Sequence, residues 1–291
     1  MNYSLENFEN ISFDEYDLDL RQKEVDGGKI TFDQIDTIKE FPSAQSIVIS
    51  GLEDDTFEYF ITKYANQFRL ISFWKNKNLT NLRALEKINN IEFLIFFYNT
   101  KVQQLWNMKN NLRLEGLCIY NFTKLHSIDG IEYCPSLKYF SFGNEAGTGN
   151  DVSYLESFRK LKETNINHFG WYGNDVLDGD YRILSETKIN RLDMNSRRFT
   201  VEELTDLLSL FPETLTGTVT IPYSILTIKE NENETQIVYP CKGKRVFTKG
   251  KDDLKFNKYI DEFNNMLVAK RNEKTHNKAS KRMSRSSRAT V

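Results

Sequence analysis

Apolar residues return in pairs at a fixed interval through the middle of the chain: Ile71/Phe73, Leu94/Phe96, Leu117/Ile119 and Phe140/Phe142, each pair 23 positions after the last. A further apolar residue stands three places before each pair, at Phe68, Ile91, Leu114 and Leu137. A period in the twenties marks one small unit that cannot bury its own apolar face, so successive copies must stack. Within each pair the two side chains point to one side of a strand and the residues between and beside them to the other. The pattern therefore predicts parallel strands laid side by side, with Ile47/Ile49 as an earlier member and Val219/Ile221 as a later one. Two looser copies are read at Leu161, Thr164 and Ile166, and at Ile189, Leu192 and Met194, with a loop over residues 171–181 filling the longer interval.

Flanking elements follow from other periods. Tyr16, Leu18 and Leu20 alternate with acids, which suits a half-buried strand after an irregular entry, and residues 26–28 (Asp-Gly-Gly) signal a turn. Residues 31–41 place Phe32, Ile35, Ile38 and Phe41 on one helical face, with Pro42 ending it. Residues 54–64 repeat that spacing with Phe57, Phe60, Ile61 and Tyr64. Thr200 and Glu203 form a capping box ahead of Leu204, Leu207, Leu208 and Phe211. Residues 79–88 leave room for a helical turn or two. Residues 225–228 and 236–239 flank a polar turn at 231–233 and read as a hairpin. Residues 252–269 carry Phe256, Tyr259, Ile260, Phe263, Met266 and Leu267 at helical spacing.

The segments at residues 68–76 (FRLISFWKN) and 91–99 (IEFLIFFYN) resemble the LxxLxLxxN signature of leucine-rich repeats, and residues 114–122 and 137–145 follow it with the Asn one place early. The inter-strand spacing, such as Ile128 and Ile131 before Cys134, is similar to the short-repeat class of internalins and phosphatase-regulating repeat proteins. The resemblance implies an α/β fold: a leucine-rich repeat solenoid with a curved parallel β-sheet on its concave side, helices or helical turns on its convex side, and a C-terminal hairpin and helix cap. The organisation then reads as an N-terminal cap at 1–43, a repeat solenoid at 44–223, a capping hairpin and helix at 224–269, and a disordered basic tail at 270–291. Independently of family, the Asn that follows each pair can bond backbone groups as the chain leaves the strand.

Composition narrows the function classes. The three histidines and three cysteines have no metal-ligand spacing, and neither a GxGxxG nor a Walker loop is present. The glycine-rich stretch at residues 143–149 lacks a phosphate-loop Lys and reads as a connector, while His126 and His168 read as polar loop residues. No enzymatic activity, cofactor or metal is expected. With no apolar run of membrane length, no secretory leader and unpaired thiols, a cytoplasmic protein with no membrane association is expected. The net charge of −2 conceals an asymmetry: residues 242–291 hold 15 Lys/Arg against 5 Asp/Glu, a net of +10, leaving 24 against 36 and a net of −12 elsewhere.

The outward strand positions are the candidate site. Trp74, Phe93, Ile95, Phe97, Tyr120 and Tyr139 make its first half aromatic, and Asn165, Asn167, Arg191 and Asp193 make its second half polar. Contiguous exposed aromatics mark an interface, and Trp, Tyr and Arg anchor protein partners. Two readings stay open: a surface for another macromolecule, or ordinary core covered by the N-terminal segment or by self-association. The leading function is a non-catalytic protein-binding module, and the resemblance adds an inhibitor or immunity-type partner as its specific form. The alternative is a nucleic-acid-associated adaptor whose tail, through Lys270, Arg271, Lys281, Arg282, Arg285 and Arg288, contacts phosphates.

Overall fold

A computed structural model describes residues 3–23, 28–144, 153–230 and 233–286. The expected turns at 26–28 and 231–233, most of the glycine-rich connector, and Arg288 lie wholly or partly outside these residues. The chain divides into two compact units, residues 1–189 and 190–291.

The first unit is built on parallel strands in chain order: β1 (Leu18–Leu20), β2 (Ser46–Ile49), β3 (Leu70–Trp74), β4 (Phe93–Asn99), β5 (Gly116–Phe122) and β6 (Tyr139–Gly143). After β6 come a short β7 (Tyr154–Leu155), then β8 (His168–Tyr172), which pairs with β6, and β9 (Asp175–Val176), which pairs with β7. Register carries the repeat directly: Ile47, Ile71, Leu94, Leu117, Phe140 and Phe169 stand beside one another across the sheet. Ile49, Phe73, Phe96, Ile119, Phe142 and Trp171 form the second row, and both rows are buried. Rings stack along them, with Phe73 on Phe96 at 4.8 Å and Phe140 on Phe169 at 5.8 Å.

The segments joining the strands are short helices. α1 (Phe32–Asp36) and α2 (Asp54–Lys63) start with capping boxes at Thr31 and Glu53, and single 3-10 turns such as Arg83–Lys87 and Ile131–Tyr133 serve the tighter repeats. Of the residues read as one apolar face at 31–41, Ile35 and Ile38 are buried, whereas Phe32 and Phe41 are exposed. The Asn positions do what their chemistry predicts. Buried Asn99 donates through Nδ2 to the carbonyls of Asn76 and Leu79, and its Oδ1 accepts from the amides of Lys101 and Val102. Asn76 donates to the Ile49 carbonyl and accepts from the Leu52 amide, so each repeat is tied to the one before.

The fifth repeat departs from the expected register. Its pair is Phe169/Trp171 rather than Thr164/Ile166, and Ile166 occupies the position three places earlier. The interval from Phe140 to Phe169 is 29 residues because the chain between them carries β7; from Phe169 to Leu192 it returns to 23. Trp171 therefore belongs to a strand and not to a loop, and His168 opens that strand.

The second unit starts with β10 (Arg191–Met194), the eighth strand in the parallel sheet's order, with Leu192 and Met194 buried. Thr216 makes a single parallel bridge to Arg191, but Val219 lies in a 3-10 turn and Ile221 is exposed, so the expected Val219/Ile221 strand does not form. α3 (Val201–Leu208) carries the Thr200/Glu203 capping box. β11 (Tyr223–Glu230) and β12 (Asn233–Pro240) make the antiparallel hairpin, with β13 (Phe247–Thr248) on its edge. α4 (Asp253–Ser286) runs well past residue 269, through much of the segment read as a disordered tail.

Candidate functional site

The other face of the first unit's sheet is also buried. Parallel strands usually carry cover on both faces, and here the cover is the chain's own N-terminal segment. Tyr3, Phe8 and Tyr16 pack with Val48, Leu70, Phe93, Ile95, Phe97, Cys118, Tyr120 and Tyr139 in one apolar cluster. Phe93 is 2 % exposed, Phe97 7 %, Tyr120 9 % and Tyr139 4 %. The first-half residues expected as an open aromatic surface, Phe93, Ile95, Phe97, Tyr120 and Tyr139, are therefore core, and the covering reading describes them. Trp74 is half-buried at the edge of this cluster.

The cover is seated by specific contacts. Phe8 stacks on Phe93 at 4.7 Å and meets Tyr139 edge-on at 5.1 Å, over Gly116. Tyr3 donates to Ser46 Oγ at 2.6 Å, and Asp17 Oδ2 accepts from the amides of Gln45 and Ser46. Phe13 meets Trp74 edge-on at 4.8 Å, and the Arg21 guanidinium lies over the Phe13 ring, 3.7 Å from its centroid. Ser12 and Glu15 form a capping box that fixes the turn between these anchors. The Glu9 carboxylate accepts from the hydroxyls of Tyr120 and Tyr139, one on each oxygen. Burial pushes both phenols well above their ordinary range, with the nearby Cys118 and Glu9 adding to the effect, so they stay protonated as donors. Burial likewise pushes the Cys118 thiol up and Tyr16 up to about 12.

Where the segment turns away, it leaves a cleft of about 450 Å³ at the strand exits. Its aromatic lining comprises Phe13, Tyr16, Trp74 and Phe97, the last two stacked at 4.0 Å, together with Tyr120 and Tyr172, 6.3 Å apart. Glu9, Asn10, Ser72 and Asn144 supply its polar atoms. Tyr172, in the lining, is 40 % exposed. Just beyond Trp74 and Phe97 the backbone enters the left-handed region at Lys75, Tyr98 and Asn121, with φ of 50°, 63° and 57°, one per repeat. The position that follows each of them, Asn76, Asn99 and Phe122, is buried.

The remaining expected residues lie elsewhere. Asn165 and Asn167 precede β8 instead of facing outward from a strand, a consequence of the shifted fifth repeat; Asn165 donates to the Pro135 carbonyl and accepts from Lys188. The outward positions of that repeat are His168, Gly170 and Tyr172. Arg191 and Asp193 belong to the second unit, ion-paired at 3.0 Å, with buried Asp193 accepting from the Thr218 amide. Lys270 and Arg271 are held by acids of the same unit, Asp206 at 2.7 Å and Glu213 at 3.5 Å. The side chains of Lys281, Arg282 and Arg285 lie outside the described residues. His126 stacks on Tyr154 at 3.7 Å in a loop, as a polar loop residue would.

Glu9, Phe8 and Phe13 are the residues sequence reasoning missed. Their signal was the string Leu5, Phe8, Ile11, Phe13 and Tyr16, apolar residues at intervals too irregular for a helix or a strand. Among the described residues, no group of three or more His, Cys, Asp or Glu side chains is placed to hold a metal ion, and no helix is long and apolar enough to cross a membrane. No protein-family model matches the chain, and no match is found among curated proteins.

Proposed function

We propose that this chain is a short-repeat leucine-rich repeat protein that binds another protein without catalysis, and that it does so at the cleft beside its N-terminal segment. The 23-residue ladder and the Asn ties between repeats support the family reading. The observation that carries the function is the boundary of the cover: the N-terminal segment fills the aromatic face over Phe93 and Tyr139 but leaves Trp74 and Tyr172 lining an open cleft. Solvent-accessible aromatics around a concave, partly polar site are the residue types and shape that anchor a partner. An inhibitor or immunity-type role, blocking a toxin or enzyme, is the specific form the family resemblance carries.

The test uses Tyr172→Ala, which truncates an exposed wall of the cleft and leaves the buried cluster whole. Affinity capture from cell extract, with bound proteins identified by mass spectrometry, is predicted to lose its specific partner with Tyr172→Ala while the thermal midpoint stays within a few degrees, about what a surface substitution costs. Capture that is indifferent to Tyr172→Ala and equally to Trp74→Phe would contradict the assignment.

A further inference from the structure

The cleft pairs aromatic rings with a carboxylate that has no basic partner. Glu9 makes no ion pair among the described residues; its hydrogen bonds are those from the two tyrosine hydroxyls, which orient the carboxylate. The same cleft is lined by Trp74, Phe97, Phe13, Tyr16, Tyr120 and Tyr172. An aromatic face is negative and attracts a cation, as the Arg21 guanidinium over Phe13 and the Lys75 ammonium over Trp74 already show at the cleft's edge, the more so when the site excludes part of the water. An anion is repelled by the same set. A neutral apolar guest would bury the Glu9 charge without compensating it, which costs free energy.

The kind of cation follows from the scarcity of acceptors. A bare ammonium is compact, strongly hydrated and needs several acceptors when it leaves water. Both Glu9 oxygens already accept from tyrosines, and apart from tyrosine hydroxyls the other polar side chains of the lining are only Asn10, Ser72 and Asn144. A methylated ammonium carries weaker hydration and offers methyl groups to the rings, while its charge still answers Glu9. Aromatic enclosure is the general solution for such ions. The volume, about 450 Å³, is within the ordinary range for a small ligand or one side chain of a partner.

We propose that this cleft is a binding site for a methylated ammonium group, with Glu9 as its counter-ion and Trp74, Phe97, Tyr120 and Tyr172 as its cage. The proposal rests on the reading of the cleft as the binding site and adds the chemistry of what enters it. The group is either a free quaternary ammonium compound or the methylated lysine of a protein partner.

The full chain is titrated calorimetrically at constant ionic strength with choline, with its neutral isostere 3,3-dimethylbutan-1-ol, with guanidinium, and with a short peptide bearing trimethyllysine or unmodified lysine. Saturable binding of choline or of the trimethyllysine peptide is expected, weakened about tenfold or more for the isostere, guanidinium and the unmodified peptide. The tighter of the two methylated ligands identifies the source. Glu9→Gln keeps one acceptor and one donor for the two tyrosines and is expected to weaken binding about tenfold while the chain remains folded at the titration temperature. Equal binding of the isostere, tighter binding of guanidinium, unchanged affinity in Glu9→Gln, or binding of neither methylated ligand overturns the proposal. If the methylated ligands fail while Tyr172→Ala still abolishes partner capture, the cation assignment alone falls; if capture is also indifferent to Tyr172→Ala, the cleft is no binding site.

Discussion

Gly116 lies under the ring of Phe8, and the fit leaves no room for a side chain. A Cβ built there would sit 2.7 Å from Phe8 Cζ and 2.9 Å from a Phe93 ring carbon. Phe8 is fully buried between Phe93 and Tyr139, so its ring cannot swing aside cheaply. Gly116→Ala is therefore predicted to destabilise the chain by about 1–3 kcal/mol, the usual cost of overpacking. Adding Phe8→Leu to Gly116→Ala should recover part of that loss, because the two changes act at one contact and are not additive. Urea unfolding of Gly116→Ala, Phe8→Leu and the double variant checks this; full additivity would show that Phe8 does not occupy the Gly116 socket. In sequence Gly116 is marked only by standing one place before Leu117 in the repeat, since its partner Phe8 is more than a hundred residues away.

At the scale of elements, what could be read and what could not divide by the range of the interaction that fixes each one. The strand pairs from Ile71 to Phe142 were legible because neighbouring repeats impose a strict 23-residue spacing on their own sequence. The Phe169/Trp171 strand was misplaced because Leu161, Thr164 and Ile166 imitate the motif within an interval stretched to 29. The N-terminal cover was not assignable. Its 3-10 turns at Phe8–Asn10 and Phe13–Glu15 have no period, and its bonds from Glu9 to Tyr120 and Tyr139 cross 111 and 130 positions. The docked segment also predicts an alkaline limit. Burial raises the phenols of Tyr16, Tyr120 and Tyr139, so the folded chain holds their protons more tightly than the unfolded chain does. Their contribution to stability is full below about pH 10, the ordinary phenol value, and is lost as the pH rises above it toward the folded values, about 12 for Tyr16. Absorbance at the phenolate band should show these tyrosines ionising together with loss of circular dichroism above that point. Ionisation of all 14 tyrosines near pH 10 with structure intact would mean the segment does not bury these three.

Over the whole molecule, charge and burial tell separate stories. The positive excess of residues 242–291 is partly spent inside its own unit, where Lys270 and Arg271 meet Asp206 and Glu213 beside α3. That weakens the nucleic-acid reading, because cations held by neighbouring carboxylates offer less to a phosphate. In the first unit, an all-parallel sheet with one aromatic face would be an aggregation hazard if left bare; the chain answers it with a cover of its own and an opening at the strand exits. The account stands on that cover being native core. Equilibrium unfolding of Phe8→Ala measures it most directly. A fully buried Phe truncated to Ala costs about 3–5 kcal/mol, and that loss is the predicted result. A change within about 0.5 kcal/mol, the range of surface substitutions, would place Phe8 in solvent and contradict the account.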